Sequence, residues 1–154
     1  MENTRTGEVK KIVVVEDDPT FLVFWERILS GIDGIEYELF RNSIEAKLFL
    51  EEVHCDLLIS DVVMPTVNGY ELARIACRKS RDCNVILTTA YGAALSHFDI
   101  GTQRFHLLHK PYTNISTLKR FIKHFVDLDT SIDDISEESS SENKDCPQVT
   151  EWKL

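Results

Sequence analysis

The sequence has few cysteines, no long hydrophobic run and no excess of basic residues, and each absence excludes a class of protein. No apolar run approaches the ~18–20 residues that a membrane span needs. The polar N-terminus, MENTRTGEVKK, lacks the apolar stretch of a secretory signal. The 4 cysteines include no Cys-x-x-Cys pair, and a chain of 154 residues is not so small that it needs disulfides to fold. We therefore expect a soluble, cytoplasmic protein with reduced thiols and no membrane partner.

Charge is distributed unevenly along the chain. The net charge is −9: residues 1–128 carry 18 acidic and 15 basic side chains (−3), and residues 129–154 carry 8 and 2 (−6). Neither part has the basic balance of a nucleic-acid binder, so no nucleic acid is expected as a partner. The second part is rich in serine and acids with only isolated apolar residues, so it cannot bury enough surface to offset its ordering entropy. We interpret residues 129–154 as an acidic, mobile tail.

Residues 11–128, which follow a polar lead over residues 1–10, alternate short apolar runs with amphipathic stretches. The apolar runs predict five strands, at Ile12–Val15, Ile35–Phe40, Asp56–Ser60, Val85–Thr88 and Phe105–His109. The amphipathic stretches predict five helices, which begin at the N-caps Asp18, Ser43 and Asn114, at Tyr70, and around Ala93–Phe98.

This β-α alternation predicts an α/β fold. Strands this apolar, joined by crossovers one helix long, form a five-stranded parallel sheet covered on both faces. Right-handed crossovers make it an open, doubly wound sheet. The functional crevice of such a sheet lies at the carboxyl ends of its strands. That rule selects the residues at these ends, which are Glu16-Asp17-Asp18, Asp61, Thr88-Thr89-Ala90 and Lys110-Pro111. Within them, Glu16, Asp17, Asp61, Thr89 and Lys110 form the set with the most evident chemistry.

These strand-end residues combine three acids with a lysine and a hydroxyl. Carboxylates that lie close together repel one another unless positive charge compensates them. A divalent cation and Lys110 could supply that charge, and hard oxygen ligands suit Mg²⁺. A phosphoryl group on Asp61 would need this set, because the metal and Lys110 would neutralise its oxygens while Thr89 donates to one of them.

Four segments carry a family resemblance: IVVVEDDP (12–19), DLLISDVVMPTVNGYEL (56–72), VILTTA (85–90) and HKPY (109–112). In their order and strand-end placement they resemble the receiver domain of response regulators, the CheY-like module of two-component signalling with a flavodoxin-like (βα)5 fold. The resemblance covers about residues 11–128. It implies that Asp61 is the phospho-acceptor. It also implies a Mg²⁺ site formed by Asp17 directly, Glu16 through water, Asp61, and the backbone carbonyl of Val63.

The resemblance also assigns the residues that would respond to phosphorylation. Thr89 matches the switch threonine because Ala90 follows it, Lys110 matches the invariant lysine, and Pro111 matches the usually cis proline. The position three residues before the lysine, where the family has an aromatic switch residue, is Leu107. Phe105 lies two residues earlier on the same face of a strand and is the candidate to replace it.

The implied function is that of a stand-alone response regulator rather than an enzyme. It would take a phosphoryl group onto Asp61 from a sensor histidine kinase or a histidine-phosphotransfer protein. It would then signal through a downstream protein or a phosphorelay, using the face made by the fourth predicted helix, the fifth strand and the last helix. One alternative is a pseudo-receiver, an interaction module that is never phosphorylated. Another is a phosphohydrolase of the haloacid dehalogenase type, which would want a second acid at Val63.

The last predicted helix presents a group of basic residues, Lys119, Arg120, Lys123 and His124. We expect such a group to form an ordinary solvated face of the helix. The alternative is that the acidic tail folds back onto it and competes with partners.

Overall fold

The computed structural model describes residues 7–90, 105–128 and 149–152, and strands and helices alternate within each of the first two ranges. The strands are β1 (Lys10–Val15), β2 (Ile35–Phe40), β3 (Leu57–Asp61), β4 (Asn84–Thr89), β5 (Phe105–His109) and β6 (Val149–Trp152). The helices are α1 (Pro19–Ser30), α2 (Ser43–Glu52), α3 (Gly69–Lys79) and α4 (Ile115–Phe125). All strand pairs are parallel, in the order β2-β1-β3-β4-β5-β6. The doubly wound α/β fold and all five predicted strands are confirmed.

The central strands are buried on both faces, as their uninterrupted apolar runs predict. Ile12 and Val14 of β1 pack with α1 and α4 on one face, and Val13 and Val15 pack with α2 and α3 on the other. Because successive side chains of a strand alternate between faces, the sheet separates two hydrophobic cores. Among the described helices, none combines the length and the hydrophobicity that crossing a bilayer requires.

Two of the three predicted helix caps are confirmed, and one is wrong. The Asp18 carboxylate accepts the Thr20 N–H at 2.8 Å, and the Asn114 side chain accepts the Thr117 N–H at 3.0 Å. At α2 the cap is Asn42 rather than Ser43, since its Oδ1 accepts the Ile44 N–H at 2.9 Å. Asn42 and Ser43 are adjacent and both belong to residue types that cap helices, so the sequence alone did not distinguish between them.

Ser43 is instead the first residue of α2 and has a tertiary role. It is buried, and its hydroxyl donates to the Pro65 carbonyl at 2.8 Å. The same oxygen accepts the Val67 N–H at 3.3 Å. Ser43 therefore ties the loop after β3 to the start of α2.

The sheet has a sixth strand that the sequence analysis did not predict. β6 lies within the segment interpreted as tail, and it pairs with β5 in the register Phe105↔Val149 to Leu108↔Trp152. The four residues Val149–Trp152 carry no alternation long enough to signal a strand, and their partner is distant in sequence. The short helix predicted around Ala93–Phe98 and residues 129–148 of the tail lie outside the described residues.

Candidate functional site

The carboxyl ends of β1, β3 and β5 bring the predicted site residues together. Glu16 and Asp17 directly follow β1, Asp61 ends the neighbouring strand β3, and Lys110 directly follows β5. One carboxylate oxygen from each of Glu16, Asp17 and Asp61 lies within 4.8 Å of the others. The topology places all four residues at one edge because parallel strands end on the same side of a sheet.

Lys110 is the cation that compensates this cluster. Its Nζ donates to Glu16 Oε2 at 2.8 Å and to Asp61 Oδ2 at 2.9 Å, and its side chain is only 9% exposed. Burial disfavours the ammonium, but the two hydrogen bonds and the two negative charges outweigh it and raise the pKa of Lys110. The backbone fixes its position as well: the Lys110 N–H donates to the Thr89 carbonyl at 2.8 Å, and the Lys110–Pro111 bond is cis.

Glu16 is the most buried member of the cluster, with 1% of its surface exposed. Burial raises its pKa from 4.5 to about 7; the bond from Lys110 moderates the rise, and the charge of Asp61 adds to it. Its Oε1 also accepts the Asp18 N–H at 3.2 Å, which joins the cluster to the N-cap of α1. In the metal-free protein this carboxyl therefore titrates near neutral pH.

Asp61 occupies the centre of the site. One carboxylate oxygen takes the Lys110 bond, and the other accepts the Val63 N–H at 3.2 Å. Its backbone is enclosed from below by Gly69 at the start of α3, where any Cβ would overlap the Asp61 carbonyl. Glycine is required at this close approach, and it lets α3 begin directly beneath the strand end.

The two threonines that end β4 face opposite sides of the sheet. Val85 and Leu87 belong to the core under α2 and α3, and Ile86 belongs to the core under α1 and α4. The alternation puts Thr89 on the α2–α3 side and Thr88 on the other. Thr89 is buried, and its hydroxyl donates to the Ala90 carbonyl at 2.9 Å. In this state the hydroxyl therefore contacts its own neighbour.

Leu107 and Phe105, the two candidates for the aromatic switch position, are both buried in the α2–α3 core. Phe105 is 4% exposed and packs edge-on against the Tyr70 ring of α3, with ring centroids 5.7 Å apart. The prediction that both lie on one face of β5 is therefore correct. The contact between Tyr70 and Phe105 links the start of α3, next to Asp61, to the strand that precedes Lys110.

One group of side chains at the site was not anticipated. The Phe21 ring of α1 covers the Lys110 ammonium, with 4.2 Å between Nζ and the ring centroid. Tyr112 packs edge-on against Phe21 at 5.9 Å and stacks on Phe24 at 5.2 Å. In the sequence, Phe21 is one of the apolar residues on one face of α1. Tyr112, two positions after Lys110, is the residue that could have indicated a contact between this face and the lysine.

The donor set of the cluster fits a hard divalent cation. Three carboxylates converge on one point, two of them more exposed than Glu16, and oxygen ligands with room for water are what Mg²⁺ prefers. Three carboxylates face a single ammonium group, that of Lys110, so a divalent cation would bring the positive charge that the cluster still lacks.

A doubly wound parallel sheet with acids, a buried lysine and a threonine at its carboxyl edge defines a CheY-like signalling domain. The family model described as "Response regulator receiver domain" matches residues 12–122. The chain belongs to this family, the receiver domains of two-component systems.

Relatives of known type agree with this assignment. The chain is 31% identical over 105 residues to the response regulator receiver protein CpdR of Brucella abortus, which covers 68% of this chain and 87% of that protein. It is 33% identical over 104 residues to the transcriptional regulatory protein NatR of Bacillus subtilis, which covers 66% of this chain. The match spans only 44% of NatR and 34% of the related regulator MalR.

Solved structures show the same architecture. A CheY-like receiver domain from Methanospirillum hungatei is 27% identical with a TM-score of 0.65, over 78% of this chain and 95% of that one. The receiver domain of a sensor histidine kinase from Pseudomonas aeruginosa is 23% identical with a TM-score of 0.63, over 77% of this chain and 98% of that one. That second structure has a magnesium ion coordinated in its active-site cleft.

Proposed function

We propose that this protein accepts a phosphoryl group on Asp61 from a phosphohistidine donor, in a reaction that depends on Mg²⁺. The supporting observation is the position of Lys110, whose Nζ bridges Glu16 and Asp61 at 2.8 and 2.9 Å beside three converging carboxylates. A carboxylate oxygen of Asp61 attacks phosphorus, an O–P bond forms, and the N–P bond of the donor breaks. The electron pair of that bond returns to the imidazole of the donor, which takes up a proton.

The residues of the cluster divide the work of neutralising the transferred group. Asp17 and Asp61 would hold Mg²⁺ directly, Glu16 would hold it through water, and the Val63 carbonyl would complete the protein ligands. When bound there, the ion would supply positive charge to the phosphoryl oxygens. Lys110 already contacts Asp61 Oδ2, so its ammonium needs only a small displacement to reach a phosphoryl oxygen.

Signalling follows from where the responding groups are attached. Thr89 lies at the end of β4 and Lys110 at the end of β5, and the two are linked by a backbone hydrogen bond of 2.8 Å. When Thr89 leaves the Ala90 carbonyl for a phosphoryl oxygen, β4 and β5 move together, and the surface of β5 and α4 changes with them. The domain acts as a two-state signalling module rather than an enzyme, and it passes the change to a downstream protein. The donor is a sensor histidine kinase or a histidine-phosphotransfer protein.

The test is phosphorylation with acetyl phosphate and Mg²⁺, followed by intact mass, with beryllofluoride as a stable mimic for NMR. We expect one added phosphoryl group on the wild type and none on Asp61→Asn, because an amide forms no acyl phosphate. Asp33→Asn, an exposed aspartate outside the site, is the matched control and should be phosphorylated normally. A wild type that takes up no phosphoryl group would favour the pseudo-receiver. Continuous release of phosphate from simple phosphate esters would favour the phosphohydrolase.

A further inference from the structure

The two edges of the five-stranded core sheet differ in how well they resist pairing with another chain. β2, at one edge, carries the exposed acids Glu36 and Glu38. β5 has the sequence FHLLH, with no acid, lysine, arginine or proline in its five residues. Charges and prolines are the usual devices that keep an edge strand from pairing. The outer edge of β5 is therefore chemically suited to accept a further strand.

The direction of the β5 backbone groups follows from one hydrogen bond. The Lys110 N–H donates to the Thr89 carbonyl, so the groups of even-numbered residues point towards β4. In a parallel strand alternate residues bond to opposite neighbours. The N–H and C=O groups of Phe105, Leu107 and His109 therefore point outward, and β6 pairs with them in the register Leu107↔Glu151.

The path of the chain places the C-terminal segment within reach of this edge. The Asn84 side chain donates to the Phe125 carbonyl at 2.8 Å, so α4 ends where β4 begins. A strand parallel to β5 must start at this same end of the sheet. Only the 20 residues 129–148 separate Leu128 from Val149 in the sequence, so β6 is covalently tethered to the end of the α4 region. The segment is thus held near its docking edge at an effective concentration on the order of millimolar.

We propose that the outer edge of β5 is a docking site for an extended peptide segment, and that its occupant is this chain's own Val149–Trp152, bound in cis. The tail is then a tethered ligand. A partner that recognises this domain by adding a parallel strand must displace it. Because β5 leads directly into Lys110, the site lies on the strand that also ends at the acid cluster. The proposal does not depend on phosphorylation of Asp61.

Amide hydrogen exchange, resolved by NMR, tests the occupancy of this edge. In the full chain the Leu107 N–H is bonded to β6, and the N–H groups of His106 and Leu108 are bonded to β4. A truncation that ends at Gln148 should accelerate exchange at Leu107 by about five- to tenfold, as expected for loss of roughly one net backbone hydrogen bond, and leave the other two unchanged. A synthetic peptide of residues 147–154 added to the truncated protein should restore protection of Leu107. Equal exchange at Leu107 in both chains would overturn the proposal.

Two proline variants provide a matched comparison within β6. Since Leu107 bonds outward and pairs with Glu151, the N–H groups that reach β5 are those of Thr150 and Trp152. Thr150→Pro removes one of these donors and should expose Leu107 to exchange, whereas Glu151→Pro removes an N–H that points away and should have little effect. Equal effects of the two variants would contradict the register. Leu107 protection that rises with protein concentration would contradict binding in cis and indicate a strand from a second copy.

Discussion

Replacing Glu16 with glutamine should stabilise the metal-free protein, and the gain should grow with pH. The unfolded carboxyl titrates near 4.5 and the folded one near 7, so between these values the folded state holds a proton that the unfolded state has lost. The free energy of unfolding therefore falls as pH rises through this window. Above it, wild-type protein buries an ionised Glu16, while Glu16→Gln buries a neutral amide.

The magnitude follows from the pKa values. The difference between about 7 and 4.5, at about 1.4 kcal/mol per pH unit, corresponds to about 3 kcal/mol at high pH. The amide has one acceptor oxygen where the carboxylate uses two, one for Lys110 and one for the Asp18 N–H, and the loss of one of these bonds takes back about 1–2 kcal/mol. This loss is nearly independent of pH. It therefore lowers the stability gain of Glu16→Gln at every pH but leaves the increase of that gain with pH unchanged. Between about pH 6 and about pH 8.5 the advantage of Glu16→Gln should grow by about 1 kcal/mol.

Urea unfolding followed by far-UV circular dichroism, with EDTA present, measures this difference. Both pH values lie above the sequence pI of about 5.0, which favours solubility. Glu38→Gln, an exposed glutamate on β2, is the matched control and should show no such slope. If the stability advantage of Glu16→Gln stays constant or shrinks as the pH rises, an ionised, buried Glu16 does not destabilise the wild type.

Three further substitutions probe other parts of the site. Mg²⁺ should raise the melting temperature of the wild type in a dose-dependent way, and Asp17→Ala should abolish that rise; an equal rise in both would place the metal elsewhere. Phe21→Ala should slow phosphorylation by acetyl phosphate about three- to tenfold, from the loss of a cation–π contact, while Phe21→Tyr and the control Val23→Ala keep the wild-type rate. Gly69→Ala should lower the free energy of unfolding in urea by about 2 kcal/mol or more, because its methyl group collides with the Asp61 carbonyl; unchanged stability would contradict the close approach.

The sequence predicted the core of the sheet because its strands are apolar on both faces. A run such as Ile12-Val13-Val14-Val15 cannot face water on either side, so it indicates a strand covered by helices. Once strands and crossovers are assigned, the carboxyl-end rule selects Glu16, Asp61 and Lys110 without any side-chain geometry. The pattern therefore sufficed to predict that these residues converge.

Features that depend on contacts between distant segments were not predictable. The stacking of Phe21 on Lys110 requires the packing angle of α1 against the end of β5. The choice of Asn42 over Ser43 as a cap depends on a loop more than 20 residues away, where Ser43 bonds to Pro65. β6 could be predicted only from the outer edge of β5 with which it pairs, since its own four residues carry no strand signal.

The sheet separates two hydrophobic cores, and the candidate site at its carboxyl edge borders both of them. Thr89 lies on the side of α2 and α3, whereas the Phe21 ring of α1 covers the Lys110 ammonium. A backbone hydrogen bond of 2.8 Å from the Lys110 N–H to the Thr89 carbonyl joins the two positions. A substitution in one core that displaces either residue should therefore also alter the packing of the other core.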